Sequence, residues 1–166
     1  MKIFGVVGWK NSGKTTLVER LIGVFLKKGL KVSTIKHSHH KFQIDKKGKD
    51  SFRHRKAGAS ETILASDYEW VKFSSNLPDI PGEIEFFLNQ LGDVDLVLVE
   101  GYKNGSHKKI EVFVKESGKP PIFLEDKTIC AVVSPGKGLN TALPVFERNE
   151  IEVISDFIIK FLKIKV

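Results

Sequence analysis

The stretch GWKNSGKT, residues 8–15, lies between an apolar run, KIFGVV (2–7), and a run with helical spacing, TLVERLIGVFL (16–26). It satisfies the pattern G-x-x-x-x-G-K-[ST], whose four specified positions coincide by chance well under ~0.01 times in a chain this long at average residue usage. Strand, glycine loop and helix are also the setting in which this pattern cradles phosphate. The residue types follow from the task. Gly8 and Gly13 permit backbone angles that a Cβ forbids. Successive N–H groups of Asn11, Ser12 and Gly13 can then turn inward on a β-phosphate, at the positive end of the helix that begins with Lys14, Thr15 and Thr16. Lys14 supplies a full charge to the β/γ-phosphates. Thr15 offers a hard hydroxyl oxygen to Mg²⁺. Trp9 is unusual at its position, and the pattern leaves it open between packing on the outside of the loop and touching a partner.

Such a loop needs an acid to hold or polarise the metal. The strongest strand signal in the chain, VDLVLV (94–99), ends at Glu100, just before Gly101. In a parallel sheet the carboxyl end of that strand opens on the same crevice as the glycine loop. Asp95 lies ~15–17 Å away at strand rise, at the wrong end to serve the same metal. Asp50, in GKDS, is a second candidate for the metal or for a switch segment. Lys14, Glu100 and Asp50 are therefore the candidate catalytic groups, and Thr15, Glu100 and Asp50 the candidate metal ligands.

The remaining elements read outward from the loop. Lys2–Val7 is a buried strand. The first helix carries Leu17, Leu21, Val24 and Phe25 on one stripe, with Gly29 as its stop. Leu30–Lys36 is a second strand, so the opening is a parallel βαβ unit. Residues 37–60 read as loop with a short helix near Ser51–Ala57. ETILA (61–65) and WVKFS (70–74) are strands split by a turn at Ser66-Asp67, and PGEIEFFLNQL (81–91) is a helix. Lys109–Lys115 alternates polar and apolar residues, which predicts a half-exposed strand. Thr128–Val133 is a buried strand. Val153–Lys165 is a closing helix capped by Ser155 or Asp156, with Phe157, Phe161 and Ile164 on one face. No repeat, low-complexity tract or linker interrupts the pattern. The expectation is one α/β domain over residues 1–166, a mostly parallel sheet flanked by helices in the P-loop NTPase class, with a basic, His-rich insert at about 37–60.

Composition narrows the partners. The chain has 166 residues, 41% of them apolar, and a net charge of +7. Residues 27–56 hold eleven Lys or Arg against two acids, a local +9, so the rest of the chain sums to −2. His37, His39, His40 and His54 lie in the same segment. It reads as a site for an anion beyond the nucleotide, or as a solvated loop. No apolar run approaches the roughly 20 residues of a membrane helix, and no leader segment is expected. The lone Cys130 sits in an apolar run and reads as core packing, with a cytoplasmic setting as the default.

The nucleotide base stays undecided on residues alone. The N-K-x-D or T-K-x-D signature of guanine recognition does not occur, and the corresponding place after the late strand reads Ser134-Pro135-Gly136. Arg53 and Arg55 could belong to the lid of a small-molecule kinase. The basic segment could serve a nucleic-acid-binding ATPase, although only Phe42 and Phe52 in it could stack on bases. His37, His39 and His40 could contact phosphate, orient Lys36 or capture zinc. Lys103, just past Glu100, could reach the crevice or a partner.

The blocks GWKNSGKTTL (8–17), TIKHSHH (34–40), GKDSFRHRKAGA (48–59), LVLVEGYK (96–103) and KIEVF (109–113), in this order, resemble the MobB proteins of molybdopterin guanine dinucleotide synthesis. The resemblance implies GTP binding with Mg²⁺, at most slow GTP hydrolysis, a homodimer, and work beside the guanylyltransferase MobA. It also gives the basic segment an anionic ligand, molybdopterin, with His37, Arg53 and Arg55 as its candidate contacts, and Lys103 stays a candidate binding residue at the crevice. The family commonly carries Asp where this chain has Pro135, so the residue that reads the base is left open.

Overall fold

In a computed structural model, described here for residues 1–38, 44–74, 84–136 and 138–166, the elements in chain order are β1 (Lys2–Val7), α1 (Lys14–Lys27), β2 (Val32–Lys36), α2 (Asp50–Lys56), β3 (Glu61–Ala65), β4 (Trp70–Ser74), α3 (Ile84–Leu88), β5 (Leu96–Glu100), β6 (Lys109–Val112), β7 (Ile129–Val133), β8 (Val145–Phe146) and α4 (Ile151–Leu162). Two short 3-10 turns, Lys115–Ser117 and Ile122–Leu124, lie between β6 and β7. The chain divides into two compact units, Met1–His37 with Phe87–Val166, and Ser38–Phe86.

The first unit is built on a six-stranded sheet in the order β2-β5-β1-β6-β7-β8. Every pairing in it is parallel. The chain leaves β1, passes through α1 and returns two places away at β2. The later strands β6, β7 and β8 extend the sheet on the opposite flank. The order therefore reverses at β1, and the crevice above its carboxyl end is where open parallel sheets bind ligands. Both expected neighbours of that crevice are in place, since β1 pairs with β5 through Val6↔Glu100 and β2 with β5 through Lys36↔Glu100.

The 3.6-residue period of α1 buries Leu17, Leu21, Val24 and Phe25, together with Val18. They join Phe4, Val6, Leu96, Leu98, Ile110, Val112, Ala131 and Val133 of the sheet and Ile151, Ile154 and Ile158 of α4 in one core. Helix α1 ends on Lys28 and Gly29, the latter at φ +80°. Lys28 then reaches across to Asp156 at 2.8 Å and Glu152 at 3.6 Å on α4. No helix among the described residues is long and apolar enough to cross a membrane.

Two expectations need correction. β6 is not half-exposed: it runs between β1 and β7, and all four of its residues are buried. Its polar alternation marks a second packed face rather than solvent. Lys109, with no exposed surface, donates to the Gly105 carbonyl at 2.6 Å, to Asp126 at 2.9 Å, and to the Thr128 hydroxyl. Glu111, equally buried, accepts the backbone N–H groups of Ile122 and Phe123, both at 2.9 Å. Burial nonetheless pushes the Glu111 carboxyl up, with those two N–H groups and the Lys103 ammonium opposing. The closing helix starts earlier than expected, at Ile151 after Glu150, and it buries Ile151, Ile154, Ser155 and Ile158. Phe161 stays 40% exposed, and Ser155 is an interior residue whose hydroxyl donates to the Glu152 carbonyl at 2.8 Å. The short β8 was not anticipated. The proposed start of the third helix at Pro81 and Gly82 lies outside the described residues.

In the second unit, β3 and β4 form a two-stranded antiparallel sheet of their own. The turn between them is closed by Ser66, whose N–H donates to the Glu69 carbonyl at 2.9 Å.

Candidate functional site

The loop from Gly8 to Gly13 leaves β1 in a conformation that its residue types explain. Gly8 stands at φ +151°, and a Cβ there would come within 2.4 Å of the Val112 carbonyl oxygen. Gly13 stands at φ +93°, and Asn11, at φ +62°, tolerates the left-handed region better than most side-chain-bearing residues. Gly13 is the N-cap of α1 and brings no side-chain cap, and the first turn carries no acid. The first amides of α1 are thus left for an anion, with the helix dipole behind them. The Lys14 ammonium lies back over the loop, donating to the Trp9 carbonyl at 2.7 Å. Burial pulls the Lys14 amine below its ordinary value; Glu100 opposes this, and the Lys103 and Lys36 charges add to it.

On the β5 flank the expected acid is in place. The Thr15 hydroxyl donates to Glu100 Oε1 at 2.7 Å, although the two residues are 85 positions apart. A hydroxyl and a carboxylate converging at the first turn of α1 are the hard-oxygen pair that Mg²⁺ takes beside a phosphate. A third residue shares the spot. Lys36, brought beside Glu100 by the β2–β5 register, has its ammonium 3.2 Å from Glu100 Oε1 and 3.5 Å from the Thr15 hydroxyl.

The rim above this pair is made by the ends of β2 and β5. His37 donates its N–H to the Glu100 carbonyl at 2.9 Å, and its ring lies 4.6 Å from that of Tyr102. Gly101, at φ +90°, makes the close approach possible, since a Cβ there would meet the His37 carbonyl at 3.0 Å. Lys103 turns toward the outside of the loop, with its ammonium 3.6 Å from the centre of the Trp9 ring. Burial lowers the Lys103 amine, and Glu111 opposes the shift. The Trp9 indole N–H donates to the Pro120 carbonyl at 2.8 Å. Trp9 therefore packs on the outer side of the cradle, where it links the loop to the segment over β6. Burial pushes the Cys130 thiol up to about 11, in keeping with a packing role.

The β6–β7 flank holds residues that sequence reasoning missed. Gly13, Thr16, Leu17, Arg20, Val112, Val133 and Arg148 line one cleft. Arg148 Nη2 donates to the Ser12 carbonyl at 2.9 Å, and Arg20 Nη1 donates to the Arg148 carbonyl at 3.1 Å. Arg148 belongs to the turn between β8 and α4. No local pattern marks it, and only the fold brings it 136 residues back to the loop.

A family model, "MobB: Molybdopterin guanine dinucleotide synthesis protein B", matches residues 3–135. The molybdopterin-guanine dinucleotide biosynthesis adapter protein of Escherichia coli is 32% identical over 164 residues, which cover 97% of this chain and 93% of the relative. That of Haemophilus influenzae is 37% identical over 162 residues, covering 96% and 89%. The chain belongs to the MobB family. Solved MobB structures share its fold: a crystal structure of molybdopterin-guanine biosynthesis protein B aligns at a TM-score of 0.74 with 26% identity over 97% of this chain and 99% of that one. The MobB of Bacillus subtilis aligns at 0.74 with 27% identity, covering 98% of each chain. The fold is that of P-loop nucleotide-binding proteins, as expected.

The second unit of this MobB-family chain carries the other predicted residues. Asp50 opens α2 and is 90% exposed at its side chain, 3.9 Å from Arg53, which is 74% exposed. Arg55 is engaged within the unit. It pairs with Asp45 at 3.5 Å and lies 4.7 Å over the Phe73 ring, while Asp45 also accepts the Ser51 hydroxyl at 2.9 Å. The first unit thus brings Lys14, Thr15, Glu100 and His37 together, with Lys103 beside Trp9, whereas Asp50, Arg53 and Arg55 share α2. His39 and His40 lie outside the described residues. Among the described residues no group of three or more His, Cys, Asp or Glu side chains could hold a metal.

Proposed function

We propose that this chain is a GTP-binding adapter of molybdopterin guanine dinucleotide synthesis, working beside a MobA-type guanylyltransferase, in the cytoplasm and as a homodimer. The observation that carries the reading is the Thr15–Glu100 contact of 2.7 Å at the mouth of the Gly8–Gly13 loop. It supplies what a magnesium-bound triphosphate needs beyond the amides: two hard oxygens on the metal side and the Lys14 ammonium on the phosphate side. In this reading Thr15 and Glu100 hold Mg²⁺, which would neutralise charge between the β- and γ-phosphates. The amides of Asn11, Ser12, Gly13, Lys14, Thr15 and Thr16 wrap the phosphates, and Lys14 balances their charge. Asp50 belongs to α2 of the second unit, and in this reading the metal ligands are Thr15 and Glu100.

Hydrolysis is slow in this reading, because Glu100 at the metal end is engaged. Glu100 accepts from Thr15 at 2.7 Å and faces the Lys36 ammonium at 3.2 Å, so it is held as a metal-side ligand rather than aimed at a water. Molybdopterin, an anion with a terminal phosphate, is the proposed second ligand, and the exposed guanidinium of Arg53 suits it better than that of Arg55, whose charge is met by Asp45.

The direct test is calorimetric titration with Mg·GTP. Binding that weakens by about 10- to 150-fold in Lys14→Ala, and that weakens without Mg²⁺ in the wild type but not in Glu100→Gln, supports the reading. A folded wild type that binds no magnesium nucleoside triphosphate overturns it.

A further inference from the structure

We propose that Arg148 reads the nucleotide base, taking the place of the acid that this chain lacks after β7. The inference rests on the nucleotide reading above and names the residue that gives it its specificity. Its ground is the asymmetry of the P-loop. The metal-side contacts of Thr15, Glu100 and Lys36 lie toward β5. The first turn of α1 opens on the other flank, over the carboxyl ends of β6 and β7, into the cleft of Gly13, Thr16, Leu17, Arg20, Val112, Val133 and Arg148. A nucleotide whose γ-phosphate faces Glu100 leads its nucleoside half out along that flank.

Arg148 is set there firmly. The turn that carries it is closed twice, by the Glu147 N–H on the Glu150 carboxylate at 2.7 Å and by the Glu150 N–H on the Glu147 carbonyl at 3.2 Å. Arg20 fixes its carbonyl from α1. Its guanidinium runs so close along the loop that a Cβ on Gly13 would lie 3.8–3.9 Å from its Cζ and both Nη atoms. The Ser12 carbonyl takes one N–H of the five that a guanidinium carries, and this orients the plane while the others have no partner among the described residues. No carboxylate among the described residues lies within 4.0 Å of Arg148 or Arg20. The residue that follows Ser134 is Pro135, whose ring offers a base edge neither donor nor acceptor.

The chemistry selects the base. A guanidinium fork is donor only, and guanine presents two acceptors, O6 and N7, along one edge. Adenine presents N7 beside an amino donor, which faces the fork unfavourably. This mode differs from an aspartate reading N1–H and the 2-amino group, because it ignores the 2-amino group altogether. Inosine and guanosine nucleotides are therefore equivalent to Arg148.

The experiment titrates wild type, Arg148→Ala and Arg148→Lys with Mg·GTP, Mg·ITP and Mg·ATP, with melting curves as the folding control and Lys14→Ala as the reference for weakened phosphate binding. The wild type is expected to bind GTP and ITP within about twofold of each other and ATP about 5- to 150-fold more weakly, the range that one bidentate base contact provides. Arg148→Ala is expected to lower GTP and ITP to the ATP level and to leave ATP within about twofold. Arg148→Lys, with the charge but not the fork, should also lose the discrimination. The proposal is overturned if Arg148→Ala weakens all three equally, if Arg148→Lys restores the ranking, or if ITP binds far more weakly than GTP. Absence of any nucleotide binding to the wild type would instead sink the nucleotide reading itself.

Discussion

At the residue scale, two ammonium groups govern the cradle. Lys14 has a lowered pKa because burial outweighs the attraction of Glu100. The folded chain alone thus binds fewer protons than the unfolded one just below the ordinary value of 10.5, and its stability rises with pH there. A triphosphate favours the ammonium and raises the pKa again, so binding takes up a proton in that window and weakens as pH rises through the lowered value. Titration at alkaline pH in two buffers of different ionisation enthalpy should show the uptake, and Lys14→Ala should abolish it. The same variant is expected to weaken Mg·GTP by about 1.5–3 kcal/mol, on the order of 10- to 150-fold. Lys36 acts in the opposite sense. Its side chain is 62% exposed yet sits on the oxygen that a metal would take. Lys36→Met should tighten Mg²⁺ in the nucleotide complex by about 2- to 5-fold, the worth of a surface ion pair, measured as the magnesium dependence of GTP affinity. Lys14, Thr15 and Glu100 were legible because their spacing follows from one loop and the end of one strand. Lys36 was not, since only the pairing of β2 with β5 sets it beside Glu100.

At the scale of elements, β6 shows where periodicity misleads. Alternation reports that two faces differ, not that one of them meets water. The polar face of β6 is covered by residues 105 and 122–128, which satisfy Lys109 and Glu111 with a lysine–carboxylate pair and two backbone amides. This coverage comes from a stretch whose only regular structure among the described residues is the three-residue turn Ile122–Leu124, too short to carry a period. Lys109→Met removes a buried ammonium and leaves Asp126 with Thr128 alone. The expected cost is about 3 kcal/mol, checked by denaturant unfolding. A pH signature accompanies it. Burial raises the Asp126 carboxyl, but hydrogen bonds from Thr128 and Lys109 outweigh this and hold it below 3.8. Its contribution is present above the unfolded pKa and is lost as pH falls through the folded value. In Lys109→Met that acid-side loss should begin at higher pH. The closing helix teaches a similar lesson: Phe157 and Phe161 lie together, Ile164 falls beyond the helix end at Leu162, and the isoleucines at 151, 154 and 158 form the more buried face.

At the scale of the whole molecule, the basic segment proved to be part of something larger than a loop. The compact second unit runs from Ser38 to Phe86 and takes in β3 and β4, which were visible as strands but whose pairing with each other alone was not. The hairpin has two unlike faces. Thr62, Leu64, Val71 and Phe73 share one, by the pairings Thr62↔Phe73 and Leu64↔Val71, and Arg55 lies against Phe73. Glu61, Ile63, Ala65, Trp70, Lys72 and Ser74 share the other, where Ile63 is 64% and Trp70 70% exposed. A tryptophan and an isoleucine exposed on a hydrogen-bonded strand pair are the kind of anchor that protein interfaces bury. For the proposed homodimer this face is the contact we expect a second copy to cover. Replacing a central tryptophan typically costs about 2 kcal/mol or more, on the order of 30-fold in dimer affinity. Ile63→Ser with Trp70→Ser should therefore shift sedimentation equilibrium to the monomer at micromolar concentration, while circular dichroism and Mg·GTP affinity stay at wild-type values because the P-loop belongs to the other unit. A double variant that remains dimeric would place the interface elsewhere, and one that loses nucleotide as well would show that the two units do not act independently.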